Sequence, residues 1–155
     1  MGQGVGSGGV GEKMILKEVT DRNRKVVSFK DLVVYQNTYE ASLEVMRNIV
    51  PHLPESERFD LKDQLSRSCK AIPRLIAEGY GKRHQKMGFQ KYLADALGEC
   101  NEIEVSLNHA KDLYGGKVNV KLCEDLIHLY EVSGKQIYKL AEGWSKFSGK
   151  GPLTT

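Results

Sequence analysis

Apolar residues recur along most of this chain at intervals of three and four, the period of one face of an α-helix. Leu32, Tyr35, Tyr39, Leu43, Met46 and Val50 form the first such stripe. Ser28 precedes it as an N-cap, and Asp31 falls in the first turn, where the helix dipole favours a carboxylate. Pro51 and Pro54 end the run. A second stripe begins near Ser56 and carries Leu61, Leu65, Ser68, Cys69, Ile72 and Ile76 inward. Pro73 lies inside it, but the spacing stays in phase, which predicts a kink and not a stop. Gly79 and Gly81 are expected to close this helix in left-handed conformations. The third helix is expected from about Gln85 to Tyr114 through Phe89, Leu93, Ala96, Cys100, Ile103, Leu107 and Ala110, with Gly115 and Gly116 ending it. The fourth runs from about Asn119 to Phe147 through Leu122, Leu126, Leu129, Ser133, Leu140 and Trp144. No strand-like alternation competes. Short connections between four long amphipathic helices predict an all-α, antiparallel up-down-up-down four-helix bundle over residues 28–147.

Composition supplies the flanks. Met1 to Glu12 hold six of the sixteen glycines, and Lys13 to Val27 is a mixed-charge stretch, so residues 1–27 are read as a flexible arm and 148–155 as a flexible tail. A chain of 155 residues suits one domain with a real core. No apolar run approaches the roughly 20 residues that span a bilayer, and the first residues lack the apolar segment of a secretory signal, so a cytoplasmic home without membrane attachment is expected. The three cysteines, Cys69, Cys100 and Cys123, are odd in number and far apart, as suits reduced thiols packed in a core.

Enzyme chemistry finds little support. A ferritin-like metal site needs Glu-x-x-His on two helices, whereas this chain offers only Asp125-Leu-Ile-His128. Gly79-Tyr-Gly-Lys82 follows a helix and lacks the spacing of a phosphate loop. His52, His84 and His109 are scattered, and Glu99 with Glu102 reads as an outer-face pair. No catalytic residue, metal or cofactor is expected.

The segment Ser68-Cys-Lys-Ala-Ile-Pro-Arg-Leu-Ile-Ala-Glu-Gly-Tyr-Gly-Lys-Arg83 resembles the signature of the four-helix-bundle family of 23S ribosomal RNA intervening sequence proteins. Phe29-Lys-Asp-Leu-Val-Val-Tyr35 is similar to the family's opening, and Phe89 to Leu93 with Ala96-Leu-Gly-Glu-Cys-Asn-Glu102 to its second block. The likeness covers roughly residues 28–147, with Leu75 and Cys100 departing from the usual residues. It implies a bundle that assembles into a ring, typically a pentamer, without enzymatic activity. A related group, the accessory proteins of diversity-generating retroelements, binds a reverse transcriptase and nucleic acid, so the resemblance also implies those partners.

Charge is unevenly spread. From Gln64 to Ala94 there are seven Lys or Arg and one acid, Glu78, a surplus of six on a chain whose net charge is only +3. Projected at about 100° per residue, Arg67, Lys70 and Arg74 lie opposite Leu65, Ile72 and Ile76 on the second helix. Lys82, Arg83 and Lys86 follow in the next turn, with His84, and Lys91 opens the third helix. Such a patch is the footprint of a surface for phosphate backbones, RNA or DNA, and Tyr80 beside it could stack on a base or pack on the bundle end. The bland reading is a solvated face whose charges answer Asp63 and Glu78. Self-assembly has its own signal. Val34, Ala41 and Val45 form a second apolar flank on the first helix, and Cys123, Ile127 and Tyr138 lie off the main seam of the fourth. These are read as a subunit interface, against burial beneath the N-terminal arm.

Overall fold

The computed structural model describes residues 25–150, with side chains through Trp144. The expected arm lies outside the described residues up to residue 24, as does the tail from residue 151. Ser28 caps as expected, through a capping box. Its hydroxyl accepts from the Lys30 amide at 3.2 Å, and the Asp31 carboxylate accepts from the Ser28 amide at 3.0 Å. What it caps is a single 3₁₀ turn, Phe29–Asp31. Leu32 is extended, and α1 begins at Val33 and runs to Glu44. A wide π-type turn, Val45–Ile49, continues it up to Pro51, which has no N–H to offer the helix. After two short turns come α2 (Leu61–Gly81), α3 (Gly88–Tyr114) and α4 (Val120–Lys150). The last helix covers Ser148 to Lys150, which had been assigned to a loose tail. Pro73 sits buried inside α2, which continues through it.

Named contacts fix how the helices run. Tyr80 near the end of α2 meets Phe89 at the start of α3 edge-on, with ring centroids 5.9 Å apart. Ser68 in mid-α2 donates to Glu102 in mid-α3 at 2.8 Å. Tyr114 at the end of α3 donates to Glu57, just ahead of α2, at 2.5 Å. Pairs that climb one helix while descending the other define an antiparallel hairpin. Phe89 at the start of α3 meets Trp144 toward the end of α4, with ring centroids 5.1 Å apart, so these two helices are antiparallel as well. Helix α1 packs on both α2 and α4. The arrangement fits an up-and-down four-helix bundle.

Large side chains fill its centre: Leu65, Ile72, Ile76, Phe89, Leu93, Ile103, Leu107, Leu122, Leu126, Tyr130 and Ile137 are all fully buried. Cys69, Cys100 and Cys123 are buried free thiols, and burial pushes them up to about 11, about 12 and about 11, where a thiolate hardly forms at neutral pH. They pack as part of the core. The Tyr130 hydroxyl and the Ser133 Oγ are buried without a protein hydrogen-bond partner, a cost of about 1–3 kcal/mol each.

One helix turns the other way from expectation. The stripe assigned to the core of α1 faces outward in part: Tyr39 is 45% exposed, and Tyr35, Leu43, Met46 and Val50 are only half-buried. The flank assigned to a subunit interface is the buried one. Val34, Ala41 and Val45 lie inside the subunit's own core, at 4%, 0% and 0% exposure. The physical reason is size. Ala41, Ser42 and Thr38 let α1 come close to the other helices, and the two hydroxyls are satisfied within their own helix, Thr38 by the Val34 carbonyl at 2.8 Å and Ser42 by that of Tyr39 at 2.6 Å. The tyrosines keep their polar tips near water.

Two outcomes follow from this packing. Val45→Lys should destabilise the subunit by about 3–5 kcal/mol in chemical denaturation, because it leaves an unpaired charge in the core. A variant that kept its stability and only lost mass in light scattering would restore this flank as an interface. The Tyr114 hydrogen bond, then the bond from the Leu61 amide, hold the Glu57 carboxyl below its ordinary value. A depressed carboxyl stabilises the fold fully above its unfolded pKa and loses that contribution as pH falls through the folded value. Tyr114→Phe should therefore be less stable than the parent at neutral pH, with the gap closing in acid; a pH-independent gap would mean that the tyrosine acts by packing alone.

Candidate nucleic-acid interface

The outward face of α2 and the turn that follows it carry the cations. Arg67, Lys70 and Arg74 are exposed, because the periodicity that buries Leu65, Ile72 and Ile76 turns them to solvent. Arg67 is not free: its Nε lies 3.2 Å from Asp63, one turn back. Among the described residues no carboxylate lies within ion-pair distance of Lys70 or Arg74.

The turn 82–87 sits at one end of the bundle, and backbone bonds make it tight. The amides of Lys82, Arg83 and Gln85 donate to the carbonyls of Gly79, Tyr80 and Lys82, at 3.0, 3.2 and 3.0 Å. Neither Gly79 nor Gly81 is left-handed, contrary to expectation; both belong to α2, and among the described residues the one with positive φ is Met87, at 59°. Gly79 serves a different purpose. A methyl group on its Cα would lie 2.6 Å from Tyr92 Cβ and 3.1 Å from a ring carbon of Phe89, so the absent side chain is what lets α2 and α3 approach. At Gly88, the first residue of α3, an added Cβ would run into the Lys82 carbonyl.

This close approach places one cation, and the end of α2 itself places another. Lys82 Nζ donates to the Tyr92 hydroxyl at 2.7 Å and lies 3.9 Å from Glu78. The bond to Tyr92 raises the lysine's pKa above its usual value, so it stays charged. The Arg83 guanidinium lies 4.0 Å from the Tyr80 ring centroid and donates to the Tyr80 carbonyl at 2.8 Å. Lys86 and Lys91 are exposed, and no carboxylate is within ion-pair distance of them or of Arg83 among the described residues. Tyr80 itself is 8% exposed, its edge on Phe89 and its face under Arg83, so it packs on the bundle end and has no open face for a base. Tyr92 had drawn no notice in the sequence. Ten residues separate it from Lys82, and only the fold of the turn brings them together.

The remaining candidates fall elsewhere. Ile127 is half-buried against the core and Cys123 is fully buried, while Tyr138 is 59% exposed. Tyr138 lines a groove of about 360 Å³ between α3 and α4 with Leu97, Gly134, Lys135, Glu104 and Glu131. Burial, then the neighbouring Glu131, push the Glu104 carboxyl above its usual range. Asp125 is held by Lys121 at 2.6 Å, and His128 is exposed, 4.0 Å from Glu131. Glu102 accepts the Ser68 hydroxyl, a bond between helices. No group of three or more metal-ligating side chains occurs among the described residues, nor is any helix there long and apolar enough to cross a membrane.

Fold and surface define a helical-bundle protein with a cationic end. The chain belongs to the 23S rRNA-intervening sequence protein family, whose model matches residues 30–139. Comparisons with curated proteins and with solved structures gave no significant match.

Gly79 offers a direct check on the geometry. Alanine is the better helix former by about 1 kcal/mol, which alone would stabilise α2. The collision with Tyr92 opposes it, and overpacking costs about 1–3 kcal/mol. Gly79→Ala should therefore lower the denaturation midpoint. A rise would mean that α2 and α3 stand further apart than described.

Proposed function

We propose that this protein acts without catalysis, as a self-associating helical bundle that holds nucleic acid against a basic surface in the cytoplasm. The observation that carries the reading is the set of cations left without carboxylate partners: Lys70 and Arg74 along α2, then Arg83, Lys86 and Lys91 around its end. The bland reading applies to part of the patch, since Arg67 and Lys82 do answer Asp63 and Glu78. Unpaired surface cations, two of them on one helix face and three about a single turn, are what a phosphate backbone neutralises. The family's name, which refers to ribosomal RNA, agrees in direction. Buried thiols of high pKa suit a reducing compartment.

Assembly into a ring, a pentamer by family resemblance, would repeat the patch and multiply a weak contact. With Val34, Ala41 and Val45 spent on the core, the surfaces left for it include Tyr138 with half-buried Ile127, the outward pair Tyr35 and Tyr39, whose rings stack 6.0 Å apart, and exposed Val105 and Leu113 on α3. The second reading is an adaptor for a protein such as a reverse transcriptase, supported by the exposed Tyr138 beside its groove.

The deciding experiment is titration of labelled RNA and DNA against the full chain over a salt series, with mass measured by light scattering in the same buffers. Log affinity should fall linearly with log salt. Replacing Lys70, Arg74 and Lys86 by Gln should weaken binding and flatten the slope by about 1 per contact removed. The exposed set Lys117, Lys135 and Lys139 should matter less. Absence of binding at low salt would leave the adaptor as the better account, and a single-chain mass would remove self-association.

A further inference from the structure

The cations at the end of the bundle are in position before any ligand arrives. Arg83 is fixed on the Tyr80 ring and carbonyl, and Lys82 on the Tyr92 hydroxyl. The same contacts occupy the two aromatic rings of this surface. Tyr80 is covered on one face by the guanidinium and meets Phe89 at its edge, and Tyr92 is half-buried with its hydroxyl engaged. Proteins that hold a single strand without reading its sequence combine a basic groove that tracks the backbone with open rings on which bases stack. Among the described side chains this surface has neither. The exposed tyrosine and phenylalanine rings are Tyr39 on α1, Phe59 ahead of α2 and Tyr138 on α4, and the turn itself exposes only the smaller imidazole of His84. The groove beside Tyr138 is lined by Glu104 and Glu131 as well as by Lys135 and Lys139, so it has no surplus of positive charge to track a backbone.

We infer that the ligand class of this interface is a duplex, gripped by its phosphate backbone, and not a single strand; the inference rests on the nucleic-acid reading above. Helix α2 is continuous from Leu61 to Gly81 and carries Arg67, Lys70 and Arg74, and Lys82 follows just past its end, so these cations are spread along about 22 Å of the helix axis. That length matches about seven base-pair steps of a duplex. A row of cations on a stiff backbone, anchored at its end through Lys82 and Arg83, meets a stiff polyanion with less ordering than a flexible strand requires. A flexible strand has to be straightened along the same row with no stacking to offset the lost freedom.

The test uses the full chain and one labelled sequence of about twenty nucleotides, presented as duplex RNA, as duplex DNA and as each single strand, at low and moderate salt. Duplexes should bind tighter than single strands by at least about tenfold, with the steeper salt dependence. Arg83→Lys keeps the charge but loses the planar group that lies on Tyr80. It should weaken duplex binding several-fold and leave single strands unchanged, with helicity checked by circular dichroism. Single strands bound as tightly as duplexes would overturn the duplex assignment while the nucleic-acid reading stands. So would a folded Arg83→Lys variant with undiminished duplex affinity. Failure of every nucleic acid to bind at low salt would overturn both.

Discussion

Gly79 lets the end of α2 come so near the start of α3 that a methyl group has no room between its Cα and Tyr92. From that proximity the rest of this end of the molecule follows. Two helices that approach so closely can be joined by a six-residue turn, and the turn is tight enough to need a left-handed residue at Met87 and no side chain at Gly88. Tyr80 is pressed against Phe89, and Phe89 in turn against Trp144, so α4 is drawn into the same corner. Of the two cations that begin the turn, Lys82 finds an aromatic partner across the hairpin in Tyr92, and Arg83 folds back onto Tyr80 at the end of α2.

Three of the four helices were plain in the sequence because their stripes are made of large apolar residues, and large apolar residues are what the core uses there. Leu65, Ile76, Leu93, Ile103 and Leu126 stand where the periodicity puts them. In α1 the same reasoning chose the wrong face. Counting hydrophobic bulk favours Tyr39 over Thr38 and Leu43 over Ser42, yet a helix that seats closely buries its small residues, and hydroxyls bonded to their own backbone cost little to bury. Hydrophobicity scales do not contain that second fact.

The candidate site divides in the same manner. Which residues carry positive charge, and that Arg67, Lys70 and Arg74 share the outer face of α2, could be read from order and period. The pairing of Arg67 with Asp63 four residues earlier was legible too, as a helical neighbour. The anchoring of Lys82 by Tyr92 was not, since it depends on how the chain reverses. The glycines were misjudged for a related reason. Sequence shows where a side chain is missing, but whether the gap serves an unusual dihedral angle or a neighbouring helix is decided by what packs beside it. For Gly79 it is the neighbour.

The crowding of cations at one pole of a rod has a consequence for how the molecule meets a charged object. In an antiparallel pair the helix dipoles largely cancel, so the polarity of this end comes from its side chains: Lys82, Arg83 and Lys86, with Lys30 on the capped turn that packs against α2. A particle charged at one pole feels a torque in the field of a polyanion as well as an attraction. At physiological salt that field fades over about 8 Å, so the torque acts only in the last steps of an encounter. Within that distance the torque favours approaches led by the turn 82–87, with the row on α2 free to swing down along the same polyanion afterwards.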